Sequence, residues 1–289
     1  MQRLALGTVQ FGLPYGIANS EGQVTREVAA GIVRAAAASG LDTLDTAIGY
    51  GDSEQRLGEI GVDTWRIVSK LPGVPEDCRD VTAWAHAAVD GALARLRVPR
   101  LHGLLMHSAR DLLGSRGAEV SAALASVRAS GKAGKVGVSV YGPAELDELA
   151  RGGEFDLVQA PFSLVDRRLA TSGWLRRLHA DGVEIHVRSV FLQGLLLMRS
   201  PGRPSQFDRW GEFWRTFDSW LEQNHLAPLE ACLGHVFSYP EIDRVVVGVD
   251  SLRQLREILA AGAVPPVVAP DALASEDPDL INPSRWSSK

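Results

Sequence analysis

Cysteine is scarce. Of 289 residues only Cys78 and Cys232 are cysteines, and they lie too far apart for a redox pair or a metal-ligand spacing. That excludes a disulfide scaffold, points to a reducing compartment, and leaves both thiols as incidental or buried groups. Long apolar runs are missing as well: none approaches the roughly 20 residues that a membrane span needs. The opening MQRLALGTVQ lacks the charged-then-apolar pattern of a signal segment, so a cytoplasmic chain with no membrane partner is expected. There is no basic excess. A formal charge of −5 argues against general affinity for nucleic acid. No G-x-G-x-x-G follows the first strand-like run, which removes the usual sign of a Rossmann domain. No internal repeat, low-complexity block or linker divides residues 1–289, and a single domain is expected. What is present, 45% hydrophobic and 22% charged residues, is the composition of a globular protein with a sizeable core.

Eight short runs rich in apolar or β-branched residues recur along the chain: 3–8, 41–46, 66–71, 103–107, 136–140, 155–160, 184–190 and 244–249. Each is followed by a segment with helical periodicity, from TREVAAGIVRAAAASG after the first to SLRQLREILAAG after the eighth, with GPAELDELARGG after the fifth and a long stretch over 207–238 after the seventh. Eight strand–helix units in a chain of this length predict an α/β (β/α)₈ barrel rather than a doubly wound sheet. Two segments fall outside the repeat. Residues 198–217 start with Gly, Pro and Ser and then turn aromatic, with Trp210, Trp214 and Phe217 at helical spacing; this reads either as the packing stripe of an added helix or as a loop over a ligand. The tail, 264–289, is too Pro-rich for a long helix and is expected to wrap across the barrel surface.

In such a barrel the active site is built where the strands end, and here the strand ends are polar. Asp45, Lys70, His107, Ser139, Gln159 and Arg188-Ser189 close the second to seventh runs, and Tyr50 follows Asp45 in the loop LDTLDTAIGYGDSEQRLG, whose Asp52 or Ser53 is placed to cap the next helix. Singly, each has an ordinary structural reading: a solvated lysine, a core histidine, loop-tying polar groups. Their convergence on one mouth is what points to chemistry. A phenol is a weak acid at neutral pH, and a neighbouring ammonium lowers its pKa. Lys70, held charged by Asp45, is expected to do this to Tyr50, with His107 donating to the same substrate oxygen, an arrangement suited to general acid catalysis on a carbonyl. These groups hold no reductant, so the hydride must come from a cofactor. A Schiff-base lyase using Lys70 is the alternative enzyme class. A non-catalytic binding or regulatory module is a third reading. A metal hydrolase lacks ligands, and no metal is expected.

The motifs LALGTVQFG, LDTLDTAIGYGDSEQRLG, IVSK, LLMHS, GKAGKVGVS, LVQAPFSLVDRR, FLQGLL and VVVGVDSLRQLREIL resemble, in order and over nearly the whole chain, those of the aldo-keto reductases. The resemblance implies a (β/α)₈ barrel, usually monomeric, that reduces aldehydes and ketones with NADPH, NADH being the less common choice. It makes Tyr50 the general acid, Lys70 and Asp45 its tuning pair, and His107 the residue that orients the carbonyl. Gly7, Thr8 and Asp45 fall in the cofactor cleft, Ser139 and Gln159 match contacts to the nicotinamide carboxamide, and Ser189, Phe191, Gln193 and Gly194 match the loop holding the pyrophosphate. Gly248, Val249, Asp250, Ser251, Gln254 and Glu257 match the adenosine end. Phe11, Tyr15 and Trp210, beside Tyr50 and His107, are candidate substrate contacts. Three departures stand out. Val140 replaces an Asn, and Arg188 replaces the aromatic that stacks on the nicotinamide. Near the adenosine, Gly248 and Gln254 replace basic residues that grip a 2′-phosphate and Ile258 replaces an Asn; there Arg253 and Arg256 could compensate, while Asp250 would repel the phosphate.

Overall fold

The computed structural model describes residues 3–150 and 155–286. Its eight strands are β1 (Leu4–Gly7), β2 (Thr43–Asp45), β3 (Arg66–Leu71), β4 (Leu101–Met106), β5 (Ala133–Ser139), β6 (Leu157–Pro161), β7 (Glu184–Arg188) and β8 (Arg244–Gly248). They pair in parallel and in chain order, and β8 closes on β1, so the expected barrel is formed.

Strand alternation explains how the barrel presents its polar groups. Val68, Leu105 and Leu157 form a small buried cluster apart from the main core. Residues two further along each strand point the same way. Lys70, His107 and Gln159 therefore stand one layer above Val68, Leu105 and Leu157, and the apolar trio is the floor of the polar mouth. At the opposite end Glu184 and His186 share a face of β7, and the Glu184 carboxylate accepts from Lys135 Nζ at 2.6 Å and pairs with His102 and His186.

The main helices outside the barrel are α1 (Arg26–Ala38), α2 (Ser53–Ile60), α3 (Val81–Leu96), α4 (Gly117–Ala129), α5 (Pro143–Leu149), α6 (Trp174–Ala180), α7 (Gly211–Gln223), α8 (Pro228–Phe237) and α9 (Leu252–Ala261). Thr25 and Asp80 cap α1 and α3 by accepting from the backbone N–H of Val28 and Ala83. The capping expected of Asp52 or Ser53 does not occur. Asp52 side-chain oxygens accept from Gln23 and Arg56, and Ser53 is drawn inward to Thr8. The long helical stretch over 207–238 is divided into a 3-10 turn (Ser205–Trp210), α7 and α8. Pro228 is the reason for the second break: it disfavours helical geometry at Ala227, whose N–H is met by the Glu230 carboxylate at 2.8 Å.

Of the aromatic stripe Trp214 and Phe217 are buried, as is Phe207 before it, while Trp210 is half-buried. The tail crosses the barrel: the Pro270 carbonyl accepts from Arg167, Ser275 N–H donates to the Val165 carbonyl, and Trp286 sits edge-on to Phe207 with ring centres 4.9 Å apart. Positions 151–154, where the helical pattern GPAELDELARGG ends, and the last three residues of the tail lie outside the described residues. Among the described residues no helix is long and apolar enough to cross a membrane, and no cluster of His, Cys, Asp and Glu is arranged to hold a metal.

Candidate active site

The mouth is built around an ion pair taken out of water. Lys70 is 1% exposed and Asp45 4%. Lys70 Nζ donates to both Asp45 oxygens, at 2.8 and 2.7 Å, and to the Thr46 carbonyl at 2.9 Å. All three ammonium donors are thereby used. Asp45 also accepts from Gln159 Nε2 at 2.6 Å. Such a buried pair survives because its remaining hydrogen-bonding capacity is met by neighbours.

The loop carrying Tyr50 is held from beneath by the residues that follow it. Ser53 Oγ donates to the Thr8 carbonyl at 2.9 Å and sits 3.2 Å from Thr46 Oγ1, tying the β1 and β2 loops together. Glu54, buried, accepts from Ser69 at 2.6 Å and from two Arg95 nitrogens at 2.9 and 2.7 Å. Gly12 completes the seat, because a Cβ there would lie 1.7 Å from the Tyr50 carbonyl oxygen. The S-E pair of the motif is thus structural support for the phenol.

Tyr50 and His107 meet edge to face, with ring centres 5.6 Å apart, and Lys70 Nζ lies 5.3 Å from the centre of the Tyr50 ring. Lys70 acts on the phenol in the expected direction, lowering its pKa, but it is not the larger influence. Burial, the larger influence, raises it, and the Lys70 charge opposes that rise without cancelling it. Lys70 spends its donors on Asp45 and Thr46, so its influence on Tyr50 is through space only. His107 is pushed down to about 4 by burial first and the Lys70 charge second, which leaves it neutral at pH 7 with one N–H to donate.

A cavity of about 850 Å³ runs from Asp45, Tyr50 and His107 past Gly7, Thr8, Ser139 and Gln159 to the β7 and β8 loops. Arg188, Ser189, Phe191, Gln193 and Gly194 line its middle, and Gly248, Asp250, Gln254 and Glu257 its far end. Of the cofactor candidates, Val249 and Ser251 do not line it: Val249 is buried, and Ser251 Oγ accepts from the Gln254 N–H at the start of α9. Arg253 borders the cavity and Arg256 does not. Two observations suit a dinucleotide. Gln159 Oε1, buried, has no hydrogen-bond partner, so β6 offers an acceptor of the kind a carboxamide N–H₂ needs. The β7 loop holds Ser189, Leu192 and Gln193 at φ of 63°, 46° and 54°, strain of the sort that collects at ligand clamps.

Of the substrate candidates, Tyr15 borders the cavity with Tyr50 and His107, but Phe11 and Trp210 do not. Phe11 is fully buried in the core, and Trp210 Nε1 donates to Asp277 of the tail at 3.0 Å. Arg188 does border the cavity, held by the Val140 carbonyl at 3.0 Å and with its guanidinium 4.9 Å from the Tyr141 ring centre. Sequence reasoning missed Tyr141, Leu197, Leu229 and the tail residues Asn282, Pro283, Ser284 and Trp286, all of which line the cavity. Only the position of Tyr141, two residues past Ser139, offered a signal.

A family model described as the aldo/keto reductase family matches residues 3–271. A search of curated protein sequences found no match. Among solved structures, PA4992 of Pseudomonas aeruginosa, assigned to the aldo-keto reductases, is 24% identical with a TM-score of 0.66, covering 90% of this chain and 89% of its own. Aldo-keto reductase AKR11C1 from Bacillus halodurans, solved in its holo form, is 19% identical with a TM-score of 0.75, covering 92% and 88%; at these identities both structures support the fold alone. With the family model spanning the barrel from β1 into the tail, this chain belongs to the aldo/keto reductase family.

Proposed function

We propose that this chain reduces an aldehyde or ketone to the alcohol, using NADPH or NADH held along the cleft. A reduced nicotinamide bound there supplies hydride to the carbonyl carbon. Gln159 Oε1 would accept from its carboxamide, beside Ser139, its neighbour in the β5–β6 register. The chain's own part is the proton. A phenol, with an ordinary pKa near 10, is protonated at neutral pH and burial of Tyr50 raises that value further, so the acid is loaded before substrate arrives. When the carbonyl oxygen gains negative charge, the nearby Lys70 ammonium favours the developing phenolate, and the proton passes from Tyr50 to that oxygen. Neutral His107 orients the same oxygen through its single N–H.

The observation that carries this reading is the juxtaposition of the Tyr50 phenol, the His107 imidazole and the fully engaged Lys70 ammonium at one end of a long cleft. The Schiff-base alternative loses its nucleophile, because Lys70 is locked by three acceptors. The test is fluorescence titration with NADPH and NADH, then turnover of a carbonyl panel by the wild type and Tyr50→Phe. Cofactor binding is expected to survive the substitution and turnover to fall roughly 10²-fold or more. Unchanged turnover would remove Tyr50 from the role of acid.

A further inference from the structure

The far end of the cleft is acidic. Asp250 borders it, half-buried. Asn19 Nδ2, reaching over from the β1 loop, lies 3.3 Å from Oδ1; Gln254 Nε2 lies 3.5 Å from Oδ2; and the Asp250 N–H donates to Gln254 Oε1 at 2.7 Å. Backbone and side chain are therefore both tied to the first turn of α9. Burial raises its carboxyl pKa, Gln254 opposes the rise, and the nearby Glu21 adds to it, so a second acid faces the same spot. Glu257, also bordering the cleft, is a third.

Against these stands one guanidinium. Arg253 borders the cleft, but its Nη1 donates to Glu257 at 2.9 Å in an exposed pair. Pairs of this kind are weak, so Arg253 is free to swing, yet swinging uncovers Glu257. The chemistry of the two dinucleotides separates here. A 2′-phosphate carries about −1.5 to −2 charge at neutral pH and needs guanidinium or ammonium partners. A ribose 2′-hydroxyl needs an acceptor, and a fixed carboxylate is the group that accepts from it in other nucleotide folds.

Resting on the reading of the cleft as a nicotinamide dinucleotide site, we propose that this chain selects the dinucleotide lacking a 2′-phosphate, NADH, and that Asp250 is the specificity-determining residue, accepting from the adenosine ribose hydroxyl. This departs from the NADPH preference that the sequence resemblance implies. It follows from the carboxylate's position: the Asp250 N–H bond to Gln254 Oε1 holds its main chain at the border of the cleft, so a phosphate placed there meets the carboxylate.

The test is isothermal titration of the full chain with NADH, NADPH, 5′-AMP and adenosine 2′,5′-diphosphate, which reads binding without catalysis. NADH is expected to bind at least about tenfold more tightly than NADPH, a difference of about 1.4 kcal/mol. The two adenosine fragments should rank the same way. Asp250→Asn, which keeps the shape and removes the charge, should narrow the ratio, and Asp250→Ser should narrow it further. NADPH binding as tightly as NADH or more so would overturn this proposal and leave the proposed function standing. So would a ratio unchanged in both variants. Failure of every nucleotide to bind would overturn both.

Discussion

Replacing Lys70 by Met keeps an unbranched side chain one atom shorter and removes its charge, leaving the Asp45 carboxylate buried with only Gln159 Nε2 still donating to it. Two charge-assisted bonds to Asp45 and one bond to the Thr46 carbonyl are lost together. Breaking one side of a buried ion pair costs about 3–5 kcal/mol, most of it the penalty for the stranded partner. The test is urea unfolding at neutral pH, followed by circular dichroism and tryptophan fluorescence; coincident curves are needed before a free energy is extracted. The double variant Asp45→Asn/Lys70→Met removes the stranded charge as well, so it should be more stable than Lys70→Met alone. A loss below about 1 kcal/mol in the single variant, the range of exposed pairs, would refute the desolvated geometry described here. A double variant no more stable than the single would show that the stranded carboxylate is not the source of the loss.

His235 is buried, with its Nε2 unpaired, and burial first and the Arg167 charge second push it down to about 4. Its folded pKa lies below the ordinary 6.5, so the unfolded chain takes up the proton first as pH falls; with His107 shifted the same way, stability should decline from pH 6.5 towards 4. Thermal melts across that window check this, and a flat midpoint above pH 4.5 would contradict it. At Glu184 burial acts to raise the carboxyl, but hydrogen bonds from His102, His186 and Lys135 outweigh it and hold it well below the usual range, so its stabilisation is lost only in more acid solution. Gly12→Ala should lower both activity and stability, because the added methyl displaces the Tyr50 main chain; kinetics and melting of the purified variant test the pair, and wild-type turnover would show that the loop gives way harmlessly. Trp286→Ala removes a wall of the cavity and the contact with Phe207, and is expected to cost about 1–3 kcal/mol and to raise KM for bulky carbonyls more than for small ones. An unchanged KM pattern would take the tail out of substrate choice.

The alternation of strand and helix was legible because period-2 and period-3.6 patterns are local, and every strand began and ended within a few residues of its expected position. Asp45, Lys70, His107 and Gln159 were legible for a related reason: polar residues ending apolar runs stand out once a barrel is assumed. The break before Pro228 was also in view, since a residue preceding proline resists helical geometry, but apolar residues at helical spacing on either side masked it. Phe11 and Trp210 show the opposite case. An aromatic residue in a loop carries no mark of which side it faces, and here one turned into the core and the other paired with the tail. The sign of the Tyr50 shift depends on how much water the finished loops exclude, a quantity no spacing encodes. Asn282 to Trp286 reach the cavity only because the tail folds back across the barrel.

The contact between Gly12 and Tyr50 has a counterpart. Gly51, at a φ of 54°, presses its own Cα face against the Gly12 carbonyl, where a Cβ would lie 2.4 Å from the oxygen. Two main chains from different loops thus interlock with no side chain between them. The loop bearing Tyr15 and Asn19 and the loop bearing the phenol behave as one casting. An engineer who transplants either loop from a relative to alter substrate range would inherit a misfit at this seam unless both travel together, so in this barrel the exchangeable unit is the pair of loops.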